Sequence, residues 1–329
     1  MSWIDDPWMG FDTETTGVRA LKDRLVTAAL VLRIDGASYR SGVSAPDQVA
    51  TWLTDPGVEI PEQATAVHGI TTEQARRDGR PIEEVLHELA GSIVEHWLRG
   101  YPVVAFNATY DITLVNQELR RHRLGSFEER LEGAPMLVVD PLVLDRKLDR
   151  FRKGKKTLTE MAPVYGAVAS PDAHTAEVDV AMTLDVLAGM VDKYPQLASM
   201  SALELMDYQL QAHQDWAEDF EKYLRKQGKD ANIDRQGFAV DAIDVDDAHA
   251  VDSGGGGRGG GGGGGRGGAA PPPRFRCLSD ATSMEGAGEA AAWSGFGPTT
   301  QPPNQDEYRW AISRLNPAGH APVREHYTS

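Results

Sequence analysis

Trp8-Met9-Gly10-Phe11-Asp12-Thr13-Glu14-Thr15-Thr16-Gly17 is an apolar run that gives way abruptly to carboxylates. A short apolar run ending in polar residues is the pattern of a buried strand that reaches solvent at its carboxyl end. Residues i and i+2 of a strand face the same side, so Asp12 and Glu14 point at one spot. Two carboxylates aimed together repel unless a proton or a cation sits between them. Hard oxygen ligands favour magnesium or manganese in that place.

The segments around this run alternate strands and helices. Residues 24–34 (RLVTAALVLRI) are β-rich and lead into Asp35-Gly36. Asp-Gly between two such runs favours a two-residue hairpin, because both turn positions want φ > 0. A third strand is therefore expected over 37–43, making an antiparallel meander. Residues 81–99 place apolar side chains at helical spacing, with Pro81 in the first turn and Gly100 just past the end. Buried strands are expected at 102–106 and 137–141, the second stopped by Pro141, and helices at 112–121, 157–165 and 176–191. The order βββαβαβαα predicts an α/β fold: a mixed five-stranded sheet flanked by helices, the arrangement of the ribonuclease H-like fold.

Two further clusters carry chemistry. Phe106-Asn107-Ala108-Thr109-Tyr110-Asp111 follows a buried strand and opens a helix, which puts Asp111 near the end of the neighbouring strand. In Ala173-His174-Thr175-Ala176-Glu177-Val178-Asp179, Thr175 suits an N-cap, Asp179 falls in the first turns and His174 lies in the loop before. Each cluster alone has a bland reading: Asp-x-Glu caps turns, and an acid at a helix N-terminus is favoured by the macrodipole.

Taken in order, the three clusters resemble the motifs of the DEDDh (DnaQ-like) 3′→5′ exonuclease family, which includes the proofreading subunit of bacterial replicative polymerases. Residues 12–17 resemble its first motif, 107–111 its second and 174–179 its third. Val67-His68-Gly69-Ile70-Thr71 is similar to a recurring family segment. Glu177 departs from the pattern, where an apolar residue is expected. The resemblance spans roughly residues 8–190. It implies that Asp12, Glu14, Asp111 and Asp179 hold two divalent ions, Mg²⁺ or Mn²⁺, about 3.5–4 Å apart. It implies that His174 is the general base for a water attacking the terminal phosphodiester, with a nucleoside 5′-monophosphate as product. By position, Thr15, Thr16 and Asn107 would contact the terminal nucleotide, and His68 would shape the pocket floor.

The rest of the chain bounds this reading. Residues 146–156 (RKLDRFRKGKK) hold seven Lys or Arg and one Asp. They read as a phosphate-tracking loop, with Lys155 and Lys156 as substrate contacts. The formal net charge of −16 argues against tight nonspecific duplex binding through charge alone. Cys277 is the one cysteine, which excludes a disulfide framework and fits a cytoplasmic setting. No secretory signal and no apolar stretch of about 18 residues is present, so no membrane contact is expected.

The expected domains are an exonuclease domain at 1–192, a helical extension at 193–240, an acidic then Gly-rich flexible linker at 241–273 and a mostly disordered tail at 274–329. Gln209-Leu210 is an incomplete match to a sliding-clamp peptide, and an amphipathic helix explains it better. The expected partner is DNA with single-stranded 3′ ends, in replication proofreading or repair, and a DNA polymerase subunit is a candidate second partner. RNA ends are the alternative substrate, since nothing in the sequence reads a 2′-OH. A non-catalytic nucleic-acid-binding adaptor is the rival from another class. It has no need of four converging acids and a histidine.

Overall fold

The computed structural model describes residues 3–37, 46–168, 175–235 and 237. His174, residues 38–43 of the expected third strand, and the expected linker and tail at 241–273 and 274–329 lie outside the described residues.

Five strands form one mixed sheet in the order β3-β2-β1-β4-β5. β1 (Trp8–Thr15) pairs antiparallel with β2 (Leu25–Arg33), and β2 antiparallel with β3 (Gln48–Leu53). β4 (Val103–Val104) runs parallel to β1, and β5 (Val138–Val139) parallel to β4. This is the ribonuclease H-like arrangement expected from the element order. The third strand is a correction. It lies at 48–53 rather than 37–43, with Leu32 opposite Gln48 and Thr27 opposite Leu53. After the Asp35-Gly36 turn, the Ala37 N–H is donated to the Ile4 carbonyl rather than across to β2. The segment that does pair has the alternation an edge strand needs: Ala50 and Trp52 are buried while Val49 and Thr51 are exposed.

Three helices lead from β3 to β4: α1 (Glu62–His68), α2 (Thr72–Asp78) and α3 (Ile82–Leu98). α4 (Ala108–Arg121) and α5 (Phe127–Leu131) connect β4 to β5. α6 (Pro141–Leu148), α7 (Leu158–Met161), a 3₁₀ turn (Ala162–Tyr165), α8 (Ala176–Lys193) and α9 (Ala202–Lys226) complete the described fold. α1, α2, α5 and α6 were not expected; each is eight residues or fewer, too short for a helical period to stand out. Among the described residues, no helix is long and apolar enough to cross a membrane.

The sheet buries both faces. Met9 and Phe11 join a core with α3, α4 and α5, and Trp8 joins a second core with α6, α8 and α9. Gly10 shares the Trp8 face, where a Cβ would stand 2.4 Å from Val180 Cγ1 of α8. Glycine thus lets α8 lie hard against β1, one residue from Asp179. Gly10→Ala should lower stability by about 1–3 kcal/mol through overpacking. It should also slow catalysis by shifting the first turns of α8, which thermal melting and a hydrolysis assay would show together. Wild-type values for both would mean that α8 tolerates the extra methyl.

α9 lies along α6 and the outer edge of β5. Gln209 is fully buried there, which rules out the clamp-peptide reading, since such a peptide must be exposed. Beyond α9 the chain folds back. The Glu221 carboxylate accepts from Ile233 N (2.8 Å) and from the Arg235 guanidinium (2.7 Å).

Candidate active site

The site forms where β1 ends. β1 alternates faces, so Asp12 and Glu14 continue the α8 side begun by Trp8 and Gly10, while Thr13 faces α4. Asp179, in the first turn of α8, meets the two strand acids: ligand oxygens of Asp12, Glu14 and Asp179 all lie within 4.8 Å of one another. The fourth acid comes from the other side. Gly10 pairs with Val104, the last residue of β4, and α4 opens four residues further on at Ala108. The β4 ladder stops at Val104, and the Thr13 N–H beyond it is taken by a side chain instead. Asp111 Oδ1 accepts from Thr13 N (3.1 Å) and from Thr13 Oγ1 (2.6 Å).

Burial and mutual repulsion make the cluster costly when it is empty of positive charge. Desolvation, then the charges of Asp111, Glu14 and Asp179, hold the Asp12 carboxyl well above the usual carboxylate range. Glu14 is pushed up to about 7 by burial and by the charges of Asp179, Asp111 and Glu177. Asp111 is also raised to about 7, by burial, against the downward pull of its hydrogen bonds from Thr13. Three acids that resist ionisation together, converging with Asp179 and all offering hard oxygen donors, fit divalent cations.

The neighbouring residues hold this arrangement. Asn107 opens α4 in the left-handed region (φ 63°), a conformation that asparagine tolerates better than most non-glycine residues. The Asp140 carboxylate fixes this backbone, accepting from Asn107 N (3.1 Å), Ala108 N (3.0 Å) and Leu142 N (2.9 Å). Asp140 was not foreseen. Its only signal in the sequence was a position just before Pro141, where an N-cap acid is favoured.

The expected substrate contacts are placed less simply. The buried Thr15 hydroxyl bonds Tyr110 OH (2.7 Å) and donates to Gly17 O (2.6 Å). The Thr16 hydroxyl accepts from Arg24 N (3.0 Å). Both therefore brace the turn after β1, with Tyr110 as a partner the sequence did not reveal. The buried His68 imidazole accepts from Ile70 N at Nδ1 (3.1 Å). Burial lowers its pKa, so the ring is a neutral support beneath the turn.

The basic run is a second correction. Arg146 and Lys147 lie in α6, which carries the chain away from the site. Lys193, at the far end of α8, pairs with Asp149 (3.5 Å). Fourteen residues of helix, about 21 Å of rise, separate it from Asp179. Lys156 is directed to the Asp145 carboxylate and to Asp149 O (2.9 Å), Arg152 to Asp145 (2.9 Å), Lys147 to Asp215 (2.8 Å) and Arg150 to Asp219 (2.7 Å). These cations brace α6 and its loop against α9. Lys153 and Lys155 remain exposed.

A family model for exonucleases, RNase_T, matches residues 9–187, a segment that contains all four acids. The chain belongs to this family of DnaQ-like 3′→5′ exonucleases, and it is a nuclease. It is 28% identical over 191 residues to the uncharacterized exonuclease CP81 of Escherichia phage 186, covering 56% of this chain and 88% of that one. It is 27% identical over 202 residues to DNA polymerase III PolC-type of Streptococcus thermophilus, covering 61% of this chain and only 12% of the polymerase. Among solved structures, E. coli ExoI bound to single-stranded DNA is 18% identical with a TM-score of 0.49, over 64% of this chain and 43% of that one.

Proposed function

We propose that this exonuclease removes nucleotides from single-stranded 3′ ends of DNA and releases nucleoside 5′-monophosphates, in proofreading or repair. The convergence of Asp12, Glu14 and Asp179 within 4.8 Å, with Asp111 behind Thr13, carries this reading. Divalent cations held there, Mg²⁺ or Mn²⁺, would neutralise phosphate charge and lower the pKa of an attacking water. The protein's part is to aim four acids from three elements at one phosphodiester. Asp12 and Glu14 come from the strand end, Asp111 from the start of α4 and Asp179 from the start of α8. His174 precedes the N-cap of α8 by one residue, and its imidazole is assigned as general base, because its ordinary pKa near ~6.5 suits proton abstraction at neutral pH. DNA is chosen on the likeness to PolC-type polymerases, and a polymerase subunit is the proposed partner on the same ground.

Matched DNA and RNA oligonucleotides, digested side by side with Mg²⁺ or Mn²⁺, test the substrate. Faster shortening of the DNA supports the proposal; faster shortening of the RNA reassigns the enzyme to RNA ends.

Catalysis is assigned to 1–192 supported by 193–240, and the remainder to tethering. A chain ending at Gly237 should therefore keep the full rate on short single strands. A large loss would place part of the site beyond that residue.

A further inference from the structure

Helix α9 lies beyond the segment that the exonuclease family matches, yet it reaches the support of the metal-binding acids. β5 is the edge of the sheet, and its outward backbone groups need partners. α9 supplies them with side chains. Met206 Sδ accepts from Val138 N (3.0 Å). The buried Gln209 amide accepts from Asp140 N (2.7 Å) and donates to Val138 O (3.0 Å) and Leu205 O (3.2 Å). Gln209 thus acts as a piece of a sixth strand, fixing the point where β5 ends and Asp140 begins.

Asp140 is 1% exposed, and its carboxylate accepts the two backbone N–H groups that open α4. One turn later Asp111 grips Thr13, which lies between Asp12 and Glu14. A continuous line of hydrogen bonds and backbone therefore runs from α9 to the strand acids. Every link is buried or half-buried, where such bonds are hard to replace with water.

We propose that Gln209 and Asp140 are positioning residues for the acid cluster, and that α9 is therefore part of the catalytic unit rather than an appendage. The inference rests on the reading of Asp12, Glu14, Asp111 and Asp179 as the metal site. Groups that orient metal ligands without touching the metal typically change affinity or activity by about 10–100-fold when lost.

The test measures Mn²⁺ affinity of the full chain by electron paramagnetic resonance, beside kcat and KM on single-stranded DNA. Gln209→Met keeps the side-chain length and removes both amide groups. It should weaken Mn²⁺ binding by about tenfold and lower kcat in step, with KM for DNA unchanged. Met206→Leu removes a contact on the same strand edge, one link short of Asp140, and should keep wild-type Mn²⁺ affinity. Asp140→Asn is isosteric, should reproduce the loss, and decides the matter if Gln209→Met does not fold. Wild-type Mn²⁺ affinity in folded Gln209→Met or in Asp140→Asn, or an equal loss in Met206→Leu, overturns the inference alone. Failure of the wild-type chain to bind Mn²⁺ overturns the metal-site reading and the inference with it.

Discussion

Asp12→Ala is expected to slow phosphodiester hydrolysis by at least about 10³-fold while leaving the fold as stable as before, or more so. Asp12 is the acid nearest to all the others in effect: Asp111, Glu14 and Asp179 each raise its pKa. Removing it takes a ligand from the centre of the cluster. A lost metal ligand forfeits several kcal/mol of charge stabilisation, and each ~1.4 kcal/mol is a factor of ten in rate. The same deletion relieves repulsion in the metal-free protein, so stability should not fall. Single-turnover digestion and a thermal melt, run on the same preparation, separate the two effects. A rate within tenfold of wild type would remove Asp12 from the reacting centre.

The second large effect is a stability that depends on pH and metal together. Glu14 and Asp111 titrate near 7 in the folded protein, raised from ordinary values of 4.5 and 3.8. A group whose folded pKa is raised stabilises the fold below its unfolded pKa, and that contribution is lost as pH rises through the folded value. The metal-free chain should therefore lose stability from these two acids between about pH 4 and 7, and be at its weakest above pH 7. Divalent cations reverse this where the acids are ionised. At pH 8, Mn²⁺ at 100 times its Kd adds about 2.7 kcal/mol, roughly 5–10 °C in melting temperature for a domain of this size. At pH 5 the protons compete, and the rise should be small. Asp111→Asn keeps an acceptor for Thr13 and should flatten the metal-free pH dependence while abolishing most of the metal effect. Equal Mn²⁺-induced rises at pH 5 and pH 8 would show that the cation binds elsewhere.

Much of this site was legible because its residues stand at element ends that the sequence marks strongly. Asp12 and Glu14 follow an unbroken apolar run, so strand period and solvent boundary coincide at one place. Asp179 sits at a helix start marked by Thr175. What the sequence did not reveal was decided by long-range partners. The Asp35-Gly36 turn has hairpin chemistry, yet Ala37 binds the Ile4 backbone and the pairing strand begins at Gln48, eleven residues later than expected. Charge density alone suggested that Lys156 and Arg152 meet phosphate, whereas buried Asp145 draws them inward. Asp140 was marked only by its place before Pro141, and nothing local marked the role of Gln209, which exists only once β5 becomes a sheet edge and α9 covers it. Thr15 and Thr16 stand in the turn after β1, where the first is engaged by Tyr110, ninety-five residues away.

The most direct test of the central claim is digestion of a 5′-labelled single-stranded DNA by the wild-type chain with Mg²⁺, Mn²⁺ or EDTA. The four-acid site predicts a ladder of products shortened one nucleotide at a time from the 3′ end, present with either metal and absent with EDTA. Digestion that persists in EDTA, or products that retain the 3′ end, would contradict it.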